Sequence, residues 1–185
     1  FASEQTNVIP HLMCLSKGLT GGALPMSLTV SQPWLYEAFL HEDFDQGFLH
    51  GHSFTGNPLG CAAANASLDI MENPETWKKI EMMQEVYEKY EKSWSDHPFL
   101  ENIRYKGIVF AADVASDDEH HYLNNLRKPL YKEFMSRGLL IRPLGNTVYL
   151  LPPYCIELDE LVFCLESLHE VTMKMFFNKE DEFEN

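Results

Sequence analysis

The chain has 185 residues, 45% of them hydrophobic, and a formal charge of −14. That is enough to bury a core, in one domain or two small ones. The acidity, with no basic cluster in the sequence, argues against nucleic-acid and anionic-membrane binding, and no apolar run approaches the ~20 residues of a membrane helix.

The first residues, FASEQTNVIP, carry neither a basic start nor an apolar stretch and do not read as a signal peptide. Residues 11–16 (HLMCLS) form a short strand-like run that ends at the glycines of a turn reaching Gly22. Residues 27–31 (SLTVS) have strand composition, and QPWLYEAFL places Pro33 in the first turn of a short helix. Residues 41–56 are polar, aromatic and glycine-punctuated, which predicts a long loop of the functional or mobile kind. Asn57 and Pro58 then signal a helix start, and Asn73-Pro74 a stop. The small residues Gly60, Ala62, Ala63, Ala64 and Ala66 suit that helix to close approach by another backbone.

Over residues 75–95 the apolar Trp77, Ile80, Met83, Tyr87, Tyr90 and Trp94 recur at three- and four-residue steps, predicting an amphipathic helix. NIRYKGIVFAADVA predicts strands broken near Gly107. Residues 121–138 predict a helix kinked at Pro129 and closed by Gly138. LLIRP and TVYLLP predict two short strands around the turn LGN. A last helix over 158–177 buries Leu158, Leu161, Val162, Leu165 and Leu168, and NKEDEFEN reads as a frayed acidic end. The pattern predicts a small α+β domain over 75–185, with 1–74 belonging to a different unit whose sheet lacks partners. There is no internal repeat. Cys14, Cys61, Cys155 and Cys164 form no C-x-x-C pair and lie among apolar neighbours, so they are expected to be reduced and buried, as in a cytoplasmic protein.

Three motifs carry chemistry. In LMCLSKGLTGG the lysine precedes the glycines, so this is not a P-loop. Lys17 is either a solvated loop charge or an amine placed for Schiff-base chemistry, which burial favours by lowering its pKa. In HGHSFTGNPLGCAAA, Ser53 and Thr55 stand before a helix N-terminus, suited either to a phosphate or to ordinary capping. His50 and His52 lack the matching Cys, Asp or Glu spacing of a metal site, and no metal is expected. In GLLIRPLGNTVYLLPPY, Arg142 interrupts an apolar run and needs an anion, either an internal carboxylate or a ligand's. Tyr149, across the expected hairpin, lies within reach of it.

Taken in order, SKGLTGG, HGHSFTGNPLGCAAA and GLLIRPLG…VYLLPPY resemble the class III aminotransferases of pyridoxal-phosphate fold type I. The resemblance covers essentially the whole chain. It is nearest the branch that aminates 8-amino-7-oxononanoate with S-adenosylmethionine in biotin synthesis. It implies an α/β architecture: residues 1–74 as the end of the large cofactor-binding domain and 75–185 as the small C-terminal α+β domain, in a homodimer. It implies that Lys17 binds pyridoxal 5′-phosphate covalently and shuttles the proton. His52 and Ser53 become cofactor-binding residues, Ser53 standing where threonine binds the phosphate from the neighbouring subunit. Gly51, Arg142 and Tyr149 become substrate-binding residues, Arg142 pairing with the carboxylate. His52 stands where the biotin branch often has proline and other class III members have histidine, and Glu157 replaces a Ser/Thr helix cap. The family's phosphate cup, ring-stacking aromatic and ring-nitrogen aspartate lie upstream of such a lysine, so the chain is expected to be a C-terminal segment, inactive alone. The alternatives are a class III enzyme of the ω-amino acid type, or a silent dimerising module.

Overall fold

The computed structural model describes residues 1–116 and 125–183, which fall into two units, Phe1–Asn73 and Pro74–Asn185.

In the first unit, β1 (Leu12–Leu15) pairs antiparallel with β2 (Leu28–Ser31), Leu12 facing Ser31 and Leu15 facing Leu28. A 3₁₀ turn, Lys17–Thr20, leaves β1 and ends on left-handed Gly21 and Gly22. A short helix, α1 (Ala2–Gln5), precedes β1 where no helix is expected, and α2 (Pro33–Glu37) begins on its proline as expected. The loop after α2 contains only a 3₁₀ turn at Phe44–Gln46. Helix α3 (Pro58–Glu72) starts where the Asn57 side chain accepts the Leu59 N–H at 2.9 Å, with proline filling a position that needs no donor. Leu19 and Ala64 are the buried apolar residues of this unit, while Ile9 and Phe44 are each 81% exposed and Phe54 is 73% exposed. Two buried apolar side chains cannot offset the entropy of ordering so long a segment, so its apolar surface needs further cover.

The second unit has a true core. Strands β3 (Leu100–Lys106), β4 (Val109–Val114) and β5 (Thr147–Leu150) form an antiparallel sheet in the order β3-β4-β5. Gly107, at φ +58, makes the β3–β4 turn. Alternate residues Phe110, Ala112 and Val114 of β4 and Val148 and Leu150 of β5 point to one face. Against that face pack Met83 and Tyr87 of α4 (Pro74–Ser93), Leu130 and Phe134 of α5 (Arg127–Ser136), and Leu161, Leu165, Leu168 and Val171 of α6 (Leu158–Phe183). The buried Tyr87 hydroxyl donates to the Ile108 carbonyl at 2.9 Å, and burial raises its pKa well above the ordinary phenol value.

Two polar clusters pin the unit. Asp113 accepts hydrogen bonds from Thr147 Oγ1 at 2.7 Å, Asn102 Nδ2 at 3.1 Å and Arg104 at 3.2 Å. Burial acts to raise its pKa, but these donors outweigh burial and hold the carboxyl below its ordinary 3.8. Asn102 sits at φ +48 where the β3–β4 register shifts. Beyond the end of α4, His97 Nε2 lies 2.9 Å from His169 Nδ1 of α6, and the Trp94 ring stacks on His169.

Several expectations need correction. LLIRP makes no strand: Leu144 forms one isolated bridge with Thr147, and residues 139–143 have no ladder partner. Pro143 lacks the N–H a ladder requires, and β5 pairs with β4 instead. Pro129 does not kink α5, because it falls in the first turn, where its missing donor is not needed. Residues 121–124 of that expected helix lie outside the described residues. Helix α6 continues through the acidic residues to Phe183 rather than fraying, since Glu, Lys and Phe there include strong helix formers; residues 184–185 of that tail lie outside the described residues. Trp77 is 49% exposed rather than buried. The cysteines are free but not buried: Cys14 and Cys155 are exposed and Cys61 and Cys164 half-buried.

The histidine pair makes stability pH-dependent. Burial, then the neighbouring His169, lowers the His97 pKa from its ordinary 6.5 to about 4. Between those values the unfolded chain binds a proton that the folded one refuses, so stability is full above about 6.5 and falls as the pH drops towards about 4. Denaturant unfolding across that window is expected to show this loss, and His97→Asn, which keeps an acceptor for the Phe99 N–H, is expected to flatten it. An unchanged slope in the variant would assign the loss elsewhere.

Candidate active site

β1 leads directly into Lys17. Ser16 is extended, at φ −162 and ψ −174, and Lys17 then turns the chain at φ +52. Left-handed backbone costs an L-residue about 1–2 kcal/mol and persists where the surroundings over-determine it. Here α3 supplies the constraint. The Ser67 hydroxyl donates to the Gly18 carbonyl at 3.1 Å. Gly60 approaches Met26 so closely that an added Cβ would lie 3.3 Å from the sulfur. Lys17 itself is exposed and makes no side-chain hydrogen bond or ion pair among the described residues. It borders an open concavity of about 860 Å³ whose walls include Ser16, Gly18, Gly21, Gly22 and Met26. The lysine is therefore neither buried nor neutralised by a carboxylate, and its amine is available.

The Gly51–Ser53 segment forms its own turn before α3. The His52 N–H donates to Thr55 Oγ1 at 3.0 Å, and the Phe54 N–H donates to His52 Nδ1 at 3.1 Å. Asn57 caps α3, so the hydroxyls at 53 and 55 are not needed for capping. Thr55 is occupied within the turn, whereas the Ser53 hydroxyl and N–H have no partner among the described residues. Ser53 does not line the concavity around Lys17.

In the second unit, residues 139–143 follow left-handed Gly138 without regular secondary structure. Ile141 enters the core while Leu140 and Arg142 face outward. Arg142 makes no ion pair among the described residues. It lines a groove of about 700 Å³ together with Leu140 and with Lys128, Tyr131 and Lys132 of α5. Tyr149 is half-buried on β5 opposite Ala111. Extending the Leu144–Thr147 bridge would set it against Arg142, but the ladder stops, and Tyr149 does not line this groove.

The aminotransferase class-III family profile matches residues 1–172. The chain belongs to the class-III aminotransferases. It is 42% identical to the adenosylmethionine-8-amino-7-oxononanoate aminotransferase of Synechococcus elongatus over 87% of this chain and 37% of that protein. To the protein of that name from Helicobacter pylori it is 36% identical, over 92% of this chain and 39% of the other. The crystal structure of the Methanocaldococcus jannaschii protein of that name superposes with a TM-score of 0.79 at 28% identity, covering 93% of this chain and 40% of that one. An amine transaminase from an uncultivated Pseudomonas species, in its PLP-bound form, gives 0.80 at 27% identity over 94% and 40%. The chain thus spans about 40% of the length of the class-III relatives it matches. The fold is the α/β architecture expected of a C-terminal segment of such enzymes.

What the sequence did not single out is the α5 wall of the Arg142 groove. Lys128, Tyr131 and Lys132 fall at i, i+3 and i+4, the spacing that places side chains on one helical face. The spacing is visible in the sequence, but only the fold sets that helical face beside Arg142.

The Lys17 backbone makes a stability prediction independent of chemistry. Glycine accepts φ +52 freely but costs about 0.5–1 kcal/mol of unfolded-chain entropy, so Lys17→Gly is expected to stabilise by about 0.5–1 kcal/mol. Lys17→Val, β-branched and least tolerant of that φ, is expected to destabilise by at least about 1 kcal/mol. Urea unfolding of the three proteins reads the order directly.

Proposed function

We propose that this chain is the C-terminal part of an enzyme that transfers an amino group from S-adenosylmethionine to 8-amino-7-oxononanoate, giving 7,8-diaminononanoate for biotin synthesis, with pyridoxal 5′-phosphate held at Lys17. The observation that carries the reading is the Lys17 turn: an unpaired amine on strained, over-determined backbone, at the lip of an open concavity between a strand end and paired glycines. The substrate assignment is supported by relatives of that name at up to 42% identity.

The residues present fit the cofactor. Among the described residues Lys17 offers an amine with no competing partner, and Ser53 a hydroxyl and an amide with none, two donors that suit a phosphate. Pyridoxal phosphate supplies the electron sink that makes the Cα–H of a bound amino acid acidic. Lys17 is the residue that would hold its aldehyde, and the Lys17 amine would carry the proton of the donor's Cα. Ser53 holds the phosphate. In this reading the phosphate at Ser53 is that of the neighbouring subunit's cofactor in a homodimer, and the position of Ser53 outside the Lys17 concavity supports it. The Gly51 backbone borders the substrate, His52 closes the cofactor turn, and Tyr149 lies beside the acceptor. Arg142 holds the acceptor's carboxylate in its planar fork. Residues 1–74 serve as the end of the large cofactor-binding domain and 75–185 as the small domain. The protein works in the cytoplasm, and this segment alone does not turn over, since the remaining cofactor contacts come from the rest of the enzyme.

In the full-length protein, Lys17→Ala is expected to abolish the borohydride-fixed adduct at residue 17 and to cut turnover at least ~10³-fold. Arg142→Ala is expected to raise the KM for 8-amino-7-oxononanoate by about 10–100-fold, the loss of a charge-assisted pair, with a smaller effect on the donor. An amino-donor screen checks the branch: preference for an ω-amino acid over adenosylmethionine would move the enzyme to the other class-III type.

A further inference from the structure

We infer that the groove between α5 and residues 139–143 is a two-walled carboxylate subsite, in which Lys128, Tyr131 and Lys132 set how tightly the acid end of a medium-chain substrate is held beside Arg142. The inference deepens the proposed function and rests on its reading of Arg142.

Charge placement carries it. The chain has 28 acidic residues and 14 Lys and Arg, so acids are available to its surface cations. Lys78, Lys79, Lys92, Arg104, Arg137 and Lys174 pair with one; Lys89 and Lys106 have no ion pair among the described residues, but neither lines this groove. Lys128, Lys132 and Arg142 have no acidic partner among the described residues, yet line one groove. Arg127 lines it too and has a partner of its own. Arg127 and Lys128 also open α5, whose first turn holds no acidic residue. Cations at a helix N-terminus oppose its dipole, and an anion seated there relieves both terms. The remaining surface is apolar: the Tyr131 ring, Leu140 and the aliphatic stems of the lysines. A concavity of about 700 Å³ is of the size that takes a small organic ligand. Cationic heads around apolar walls match a carboxylate on an alkyl chain, rather than inorganic phosphate or an acidic peptide.

The test uses the full-length protein and nonanoate, a nine-carbon acid without the reacting groups. Calorimetry is expected to show about threefold weaker nonanoate binding for Lys128→Gln and for Lys132→Gln, and about tenfold for the double variant, with the difference shrinking at high salt. Lys174→Gln removes an equal charge outside the groove and is expected to bind nonanoate as the parent does. Steady-state kinetics on the double variant are expected to raise the KM for 8-amino-7-oxononanoate and not that for adenosylmethionine. A double variant that binds nonanoate like the parent overturns the inference. If the parent fails to turn over 8-amino-7-oxononanoate while the double variant still loses nonanoate affinity, the substrate assignment falls and the subsite stands.

Discussion

The left-handed backbone at Lys17 is the constraint on which the first unit is organised. A strand would carry its side chain on past the hairpin; the turn instead stops β1 and presents the amine at the rim of a glycine-walled hollow. Such a conformation survives only if neighbouring atoms exclude the alternatives. The Ser67–Gly18 hydrogen bond and the Gly60–Met26 approach do so from one helix, which explains the small residues on that face of α3. A bulky residue at position 60 would push α3 off the turn and release the strain. The precision of the lysine thus comes from a helix that carries no reacting group.

The two units contrast in how they are stabilised. Sheet β3-β4-β5 and helices α4, α5 and α6 enclose a continuous core with fully buried Phe110, Phe134 and Leu165, and the polar Asp113 is satisfied by three donors. The first unit buries little beyond Leu19 and Ala64, while its loop exposes Phe44, Phe48 and Phe54. Exposed apolar surface of that density is what a monomeric domain avoids. The Lys17 turn, proposed to hold the cofactor, lies on the unit whose order depends on its surroundings, and the proposed carboxylate groove lies on the self-sufficient one.

Sequence periodicity located most elements because they are locally determined. β1, β2, α3, α4 and the Gly107 turn follow from alternation, capping and glycine placement that tertiary contacts do not overrule. The failures are tertiary. LLIRP has strand composition, but β4 offers its free edge to β5, and Pro143 cannot join a ladder. Trp77 keeps helical spacing but is 49% exposed, the core cluster taking its α4 residues from Met83 onward. Lys17 was legible from its motif, whereas its left-handed φ was not, since nothing local requires it. Asn57 was legible as the cap, but only the structure shows Thr55 bound within the turn and Ser53 without a partner among the described residues. The α5 wall of the Arg142 groove joins residues 128–132 to residues 140–142, and only the fold brings those stretches together.

Electrostatics explains why such a wall has to be local. A carboxylate approaching a chain of net charge −14 is repelled at long range. At physiological salt that field is screened beyond about 8 Å, so within this distance only the nearest charges count. A single arginine offsets one ligand charge but leaves it open to nearby acids, and this chain has two acids for every base. Elsewhere on the surface Glu88–Lys92, Glu133–Lys174 and Arg137–Glu170 cancel one another and leave little net field. In the groove Lys128, Lys132 and Arg142 have no acidic partner among the described residues, at a helix start whose own dipole has the same sign. The net acidic charge repels anions at long range, while the unpaired cations of the proposed subsite reverse the sign locally. Discrimination between anions then falls to the apolar walls, because a carboxylate without an alkyl chain gains the charge term but leaves Tyr131 and Leu140 in water.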